Sequence, residues 1–67
     1  MKKLQPHQQR VVEEAEQLQD KIAKLGVFID SSDIFGKMCE EGRLLLCAQL
    51  AAMNTYYTIL QTRIMKF

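Results

Sequence analysis

The chain has 67 residues, of which 48% are hydrophobic and 25% are charged, and its formal net charge is +1. This composition excludes wholesale disorder, and it lacks the basic stripe typical of proteins that bind DNA or RNA polymers. A chain this short forms one domain, which we place at residues 1–67. Such a domain often needs a disulfide, a metal or a partner chain to bury enough surface.

The cysteines and the amino-terminal residues together indicate a cytoplasmic location. Cys39 and Cys47 are too far apart for a zinc knuckle or a CxxC motif, and on one helix they lie roughly 12 Å apart along the axis. We therefore expect free thiols in a reducing cytoplasm, no metal and no cofactor. Lys2 and Lys3 lead into a polar segment, and no apolar run is long enough to span a bilayer, so we expect no signal peptide and no membrane helix.

The first predicted element is a helix over about residues 6–30. Pro6 suits the first helical turn, where its missing N–H group would have no partner in any case. The apolar residues that follow have the 4-3-4-3-4 spacing of a heptad seam. They are Val11, Ala15, Leu18, Ile22, Leu25 and Ile29.

A corner over residues 31–38 follows. The segment DSSDIFG, residues 30–36, overlaps this corner and is rich in residues that favour turns and helix caps. We expect Ile34 and Phe35 to tuck under this corner, with a short helical turn between the two long helices.

The second long helix is predicted over about residues 39–66. Glu40 and Glu41 suit its first turn because the helix dipole favours negative charge there. The apolar residues then repeat with 4-3-4-3-4-3 spacing, which assigns Tyr57 to the core. They are Leu46, Leu50, Met53, Tyr57, Leu60, Ile64 and Phe67.

Two seams of similar length joined by a short corner predict an all-α fold, an antiparallel two-helix hairpin. Matching the seams end to end places Lys21 near Tyr56 and Glu14 near Arg63 on one flank of the hairpin.

The second helix has more apolar surface than one seam requires. Leu45, Ala48, Ala52, Ile59 and Met65 lie off the seam, and a lone hairpin has nothing to cover them. We therefore expect a homo-oligomeric helical bundle, most simply a dimer of hairpins. The predicted interface residues are Leu45, Ala52, Tyr56 and Ile59.

No sequence motif of an enzyme occurs in the chain. A hydrolase elbow, a phosphate-binding glycine loop and an HExxH motif are all missing from the sequence. His7 is expected to be a solvated or capping residue, and the carboxylates Glu13, Glu14 and Glu16 to be solubilising charge. The chain is therefore expected not to be an enzyme.

One cluster has the character of a binding site: Arg10, Lys21, Tyr56 and Arg63. A tyrosine ring can stack on a nucleobase, while arginine and lysine can hold phosphate oxygens. The purely structural alternative pairs Arg63 with Glu14 and covers Tyr56 with the methylenes of Lys21. Three roles for Tyr56 stay open at this point: interface core, exposed aromatic and ligand contact.

The sequence resembles a group of small helical-hairpin proteins common in tailed-phage genomes. That group has a His-Gln-Gln-Arg-Val segment near its start, Phe-Ile before the corner, and Met-x-x-Tyr and Leu-x-x-Arg-Ile near its end. The matching residues are His7, Arg10, Val11, Leu18, Lys21, Leu25, Phe28, Met53, Tyr56, Leu60 and Arg63. The chain departs from the pattern at Ala15, where lysine is usual, and at Cys39, where proline is frequent.

In size and build the chain is also similar to the phage anti-CBASS and anti-Thoeris sponges. That resemblance implies an anti-defence protein of the host cytoplasm that oligomerises and sequesters a cyclic-nucleotide or cyclic ADP-ribose-type messenger without catalysis. The alternative is a non-catalytic interaction module whose hairpin docks on a host or phage protein. The resemblance assigns no binding residues, no subunit number and no particular host defence.

Overall fold

A computed structural model describes residues 3–67, so Met1 and Lys2 of the predicted domain lie outside the described residues. The described chain forms three helices: α1 over Pro6–Ser31, α2 over Asp33–Lys37 and α3 over Glu40–Met65. α1 and α3 pack side by side as a rod of 49 × 15 × 14 Å. The predicted all-helical class and the packing of the two long helices are confirmed, while the oligomeric bundle stays a prediction.

Ser32 determines how the chain leaves α1 and enters α2. Its backbone is extended, its N–H donates to the carbonyl oxygen of Phe28 at 3.1 Å, and its hydroxyl accepts from the N–H of Ile34 at 3.2 Å. The same residue therefore ends one helix and caps the next, which is the role that serine takes in turns.

The short helix α2 covers the end of α1 with one of its two large apolar side chains. The Phe35 ring meets Phe28 edge to face, with ring centroids 6.1 Å apart. Ile34, in contrast, is 66% exposed, so the expectation that both residues tuck under the corner was wrong for Ile34. Adjacent residues on a helix point about 100° apart, and a five-residue helix can turn only one of them toward α1.

The first turn of α3 is capped by Cys39. Its Sγ accepts from the N–H of Gly42 at 3.4 Å, and Glu40 and Glu41 occupy the following positions. The carboxylates lie where the helix dipole favours them. No described helix is long and apolar enough to cross a membrane.

The hydrophobic core is thin. In the described chain only Leu60 and Ala15 are buried, with 0% and 6% of their surface exposed, and the other seam residues are half-buried. Large apolar side chains remain in solvent along the rod. They are Leu4, Val27, Ile34, Leu44, Leu45, Tyr56, Ile59 and Met65.

We expect Leu60→Ala to lower the free energy of unfolding by about 2–5 kcal/mol, because it opens a cavity at the fully buried position. Leu44→Ala is the matched control: its side chain is 62% exposed, and its loss should change stability by less than about 0.5 kcal/mol. Urea denaturation followed by circular dichroism measures both. Equal losses would contradict a core centred on Leu60.

Candidate functional site

The four residues proposed as a binding cluster are all solvent-exposed. Tyr56 and Arg63 lie seven residues apart on α3, about two turns along one face of the helix. Arg10 and Lys21 come from α1, where their spacing places them on one side of that helix together with Glu14. We call this set of Arg10, Glu14, Lys21, Tyr56 and Arg63 the Tyr56 flank.

The specific contact of the Tyr56 flank is a hydrogen bond across the hairpin. The Tyr56 hydroxyl donates to Oε2 of Glu14 at short range, and no other side-chain hydrogen bond in the described range joins α1 to α3. A half-exposed tyrosine ring would otherwise turn about its side-chain torsions. The hydrogen bond to Glu14 restrains the orientation of the Tyr56 ring.

Glu14 was missed as a site residue, and the ion pair expected between Glu14 and Arg63 is wrong. The hydroxyl of Tyr56 meets Glu14, and the cover of the Tyr56 ring by the methylenes of Lys21 stays a prediction. Glu14 and Arg63 form no ion pair: within residues 3–67 the ion pair is Asp20–Lys24. A phenol is long enough to reach a carboxylate that is not directly opposite, and no heptad pattern encodes that reach.

Two charged side chains, Glu14 and Arg63, influence the pKa of the Tyr56 hydroxyl. The hydrogen bond to Glu14 raises the pKa of Tyr56 above its usual value of 10.0, desolvation and the negative charge of Glu14 raise it further, and the positive charge of Arg63 opposes the shift. Arg63 is thus close enough to act on the phenol. Within residues 3–67 its guanidinium makes no ion pair, which leaves its donors available to a ligand.

The α3 stripe, defined as Leu45, Ala52, Tyr56 and Ile59, runs beside this flank. All four residues are exposed, with Leu45 at 64%, Ile59 at 51% and Tyr56 at 42%. Their spacing places them on one face of α3. Tyr56 belongs to both the stripe and the flank, so a partner that covers the stripe would also reach the charged residues.

A groove lies on the other side of the seam and was not anticipated from the sequence. It has a volume of about 340 Å³ and is lined by Val12, Ala15, Glu16, Gln19, Tyr57, Gln61, Ile64 and Met65. Tyr57 is half-buried there, and its hydroxyl accepts a hydrogen bond from Nε2 of Gln61 at 3.1 Å. Tyr56 and Tyr57 are adjacent in sequence but lie on opposite sides of the seam between α1 and α3.

The cysteines offer no metal site in the described part of the chain. Cys39 and Cys47 are free thiols, and residues 3–67 contain no cluster of three or more histidine, cysteine, aspartate or glutamate residues that could hold an ion. Cys39 is instead occupied as the cap of α3.

We expect the pKa of Tyr56 to fall toward 10 when Glu14 is replaced by glutamine, since Glu14 is the largest cause of the upward shift. The chain has two tyrosines, so the Tyr57→Phe background leaves Tyr56 as the single reporter of tyrosinate absorbance. Because the folded chain keeps this proton to higher pH than the unfolded chain, the contribution to stability is complete below about pH 10 and is lost as pH rises through the raised pKa. An unchanged titration after Glu14→Gln would contradict the contact.

One family model, described as Sequestin, matches residues 5–66. The match covers α1, α2 and α3 from one residue before Pro6 to the end of the last helix, and it contains every residue of the Tyr56 flank and of the groove. No curated protein and no solved structure matches the chain significantly.

Proposed function

The chain belongs to the Sequestin family, and we propose that it works by binding and holding a small signalling molecule without transforming it. The family name suggests sequestration. A sequestering protein needs affinity and abundance rather than turnover, so it requires no acid–base pair, nucleophile or metal. The chain would then be a binding protein and not an enzyme.

The Tyr56 flank supports a ligand of the cyclic-nucleotide class. The observation that carries this proposal is the Tyr56 ring, held by Glu14 and exposed beside the unpaired guanidinium of Arg63. The ring offers a stacking surface for a base, and Arg63 offers a planar fork for phosphate oxygens. Lys21 and Arg10 would add positive charge for the remaining phosphate oxygens.

Glu14 contributes by fixing the ring before the ligand arrives. A ring that is already oriented loses less conformational freedom on binding, so more of the stacking energy appears as affinity. The carboxylate also offsets part of the positive charge of the flank. A ligand that supplies a hydroxyl or amino donor next to its phosphates would complement Glu14 and Arg63 together.

A second copy of the chain would complete the site. Ordering the backbone costs roughly 1–2 kcal/mol per residue. The burial of two described residues at the seam offsets only a small part of that free-energy cost. Covering the α3 stripe would add burial, and because Tyr56 lies on the stripe, it would enclose a ligand between subunits. Tight small-molecule sites bury most of their ligand, which the open flank of one hairpin does not.

The resemblance to phage sponges supplies the biological context of this proposal. The chain would act in the cytoplasm of an infected host, where it removes a cyclic-nucleotide or cyclic ADP-ribose-type immune messenger. The exposed α3 stripe favours one alternative, in which Ala52, Tyr56 and Ile59 dock on a host or phage protein and no small ligand is involved.

We expect at least one member of a panel of cyclic dinucleotides, cyclic trinucleotides and cyclic ADP-ribose isomers to raise the melting temperature. A ligand at a hundred times its dissociation constant adds about 2.7 kcal/mol to the stability of the folded state. Tyr56→Ala should abolish this shift, and Lys21→Gln should weaken it. Lys37→Gln, an exposed lysine on α2, is the matched control and should leave it unchanged.

A flat response of the well-folded protein to the whole panel would remove the messenger-binding proposal and favour the docking alternative. Binding that survives Tyr56→Ala would place the pocket elsewhere on the molecule.

We expect the protein to sediment as an oligomer, with a melting temperature that rises with protein concentration, as linked folding and association require. Ile59→Glu places a charge in the middle of the α3 stripe and should shift the sedimentation profile to the monomer. Val27→Glu is the control, because Val27 is 65% exposed but lies on α1. A folded single chain at low micromolar concentration in the wild type would rule out the interface.

A further inference from the structure

The groove and the Tyr56 flank are separate surfaces of the hairpin. Leu60 and Ala15, the two buried residues, form the seam between them. Glu14 and Glu16 are two positions apart on α1, about 200° around the helix, so one lies at the flank and the other at the groove. Ligand binding in the groove would therefore be independent of the function proposed for the Tyr56 flank.

The residues that line the groove share a distinctive charge pattern. Four apolar side chains form its walls: Val12, Ala15, Ile64 and Met65. The polar groups are the carboxylate of Glu16, the carboxamides of Gln19 and Gln61, and the hydroxyl of Tyr57. Within residues 3–67, none of the lining residues is lysine, arginine or histidine. A phosphate would meet a carboxylate with no cation to balance it, so the groove suits an uncharged ligand that is rich in donors.

The size of the groove limits the ligand further. Its volume of about 340 Å³ lies at the lower end of the roughly 300–1,000 Å³ typical of small-molecule sites. A single heterocycle or nucleoside matches this volume, whereas a cyclic dinucleotide exceeds it. Met65 is 85% exposed at the rim, which leaves the groove open for entry.

We propose that the groove binds a guanine base, either free or as its nucleoside. Guanine presents two adjacent donors, the N1–H and the N2 amino group, which match the two oxygens of one carboxylate. Glu16 supplies that carboxylate. Hydrogen bonds to a charged acceptor are stronger than neutral ones, so this pair gives the preference for guanine over other bases.

The other polar groups complete the recognition of the base. The carboxamides of Gln19 and Gln61 carry donors for the O6 and N7 acceptors of guanine. The Tyr57 hydroxyl accepts from Gln61, so its own proton remains available to a ligand. The apolar walls then cover the faces of the ring.

The test is a titration of the uniformly labelled protein with guanosine, inosine and guanosine monophosphate, followed by the methyl signals of Met65 and Ile64. Guanosine should shift these signals. Inosine lacks the N2 amino group and should bind roughly tenfold more weakly, the loss expected for one charge-assisted hydrogen bond. Guanosine monophosphate should bind no more tightly than guanosine, because no basic side chain among the described residues lines the groove.

Two matched variants test whether Glu16 causes the preference for guanosine over inosine. Glu16→Gln should remove the difference between guanosine and inosine, while Glu41→Gln, the same change at an exposed position in the first turn of α3, should preserve it. Tyr56→Ala should leave guanosine binding unchanged, which separates this site from the messenger site proposed above. Circular dichroism verifies that each variant is folded.

Three results would overturn the proposal. The first is that guanosine shifts no groove signal, and the second is that wild-type protein binds guanosine and inosine equally. The third is that the groove signals respond to protein concentration and not to guanosine, which would make the groove a contact between copies of the chain.

Discussion

The structure depends on the seam between α1 and α3, where Leu60 and Ala15 are the two buried residues of the described chain. The 3.6-residue period then distributes the remaining side chains of α1 and α3 around that line. Residues next to a seam position in sequence cannot join it, so they fall alternately to one flank or the other. The hairpin consequently has two sides of different chemistry, although each side is built from the same two helices.

The contrast between the flanks is electrostatic. The flank of Tyr56 and Arg63 combines an aromatic ring with cations, and the ring is restrained by Glu14. Among the described residues, the lining of the opposite groove has one carboxylate, two carboxamides and no basic side chain. The net charge of +1 does not reveal this difference, because it adds together charges that lie on different sides of the hairpin.

Heptad spacing was enough to predict both long helices, their pairing and the inward position of Leu60. It was not enough for the contacts that give the site its character. The Tyr56–Glu14 bond depends on how far a phenol reaches across two helices, and the groove depends on space left beside a small residue, Ala15. Ile34 shows the same limit: its apolar character predicted burial, but the short length of α2 decided which side chain faced α1.

The connection between the long helices has a dynamic consequence. Because Ser32 and α2 reverse the chain within a few residues, joining the helices at that end costs little loop entropy, and pairing can proceed from there toward the free ends. The tyrosine pair and the residues Glu14 and Arg63 lie toward the opposite end of the rod, away from this connection. A molecule that contacts both helices at that end would hold α1 and α3 together, so ligand binding and pairing of the two helices there would occur together.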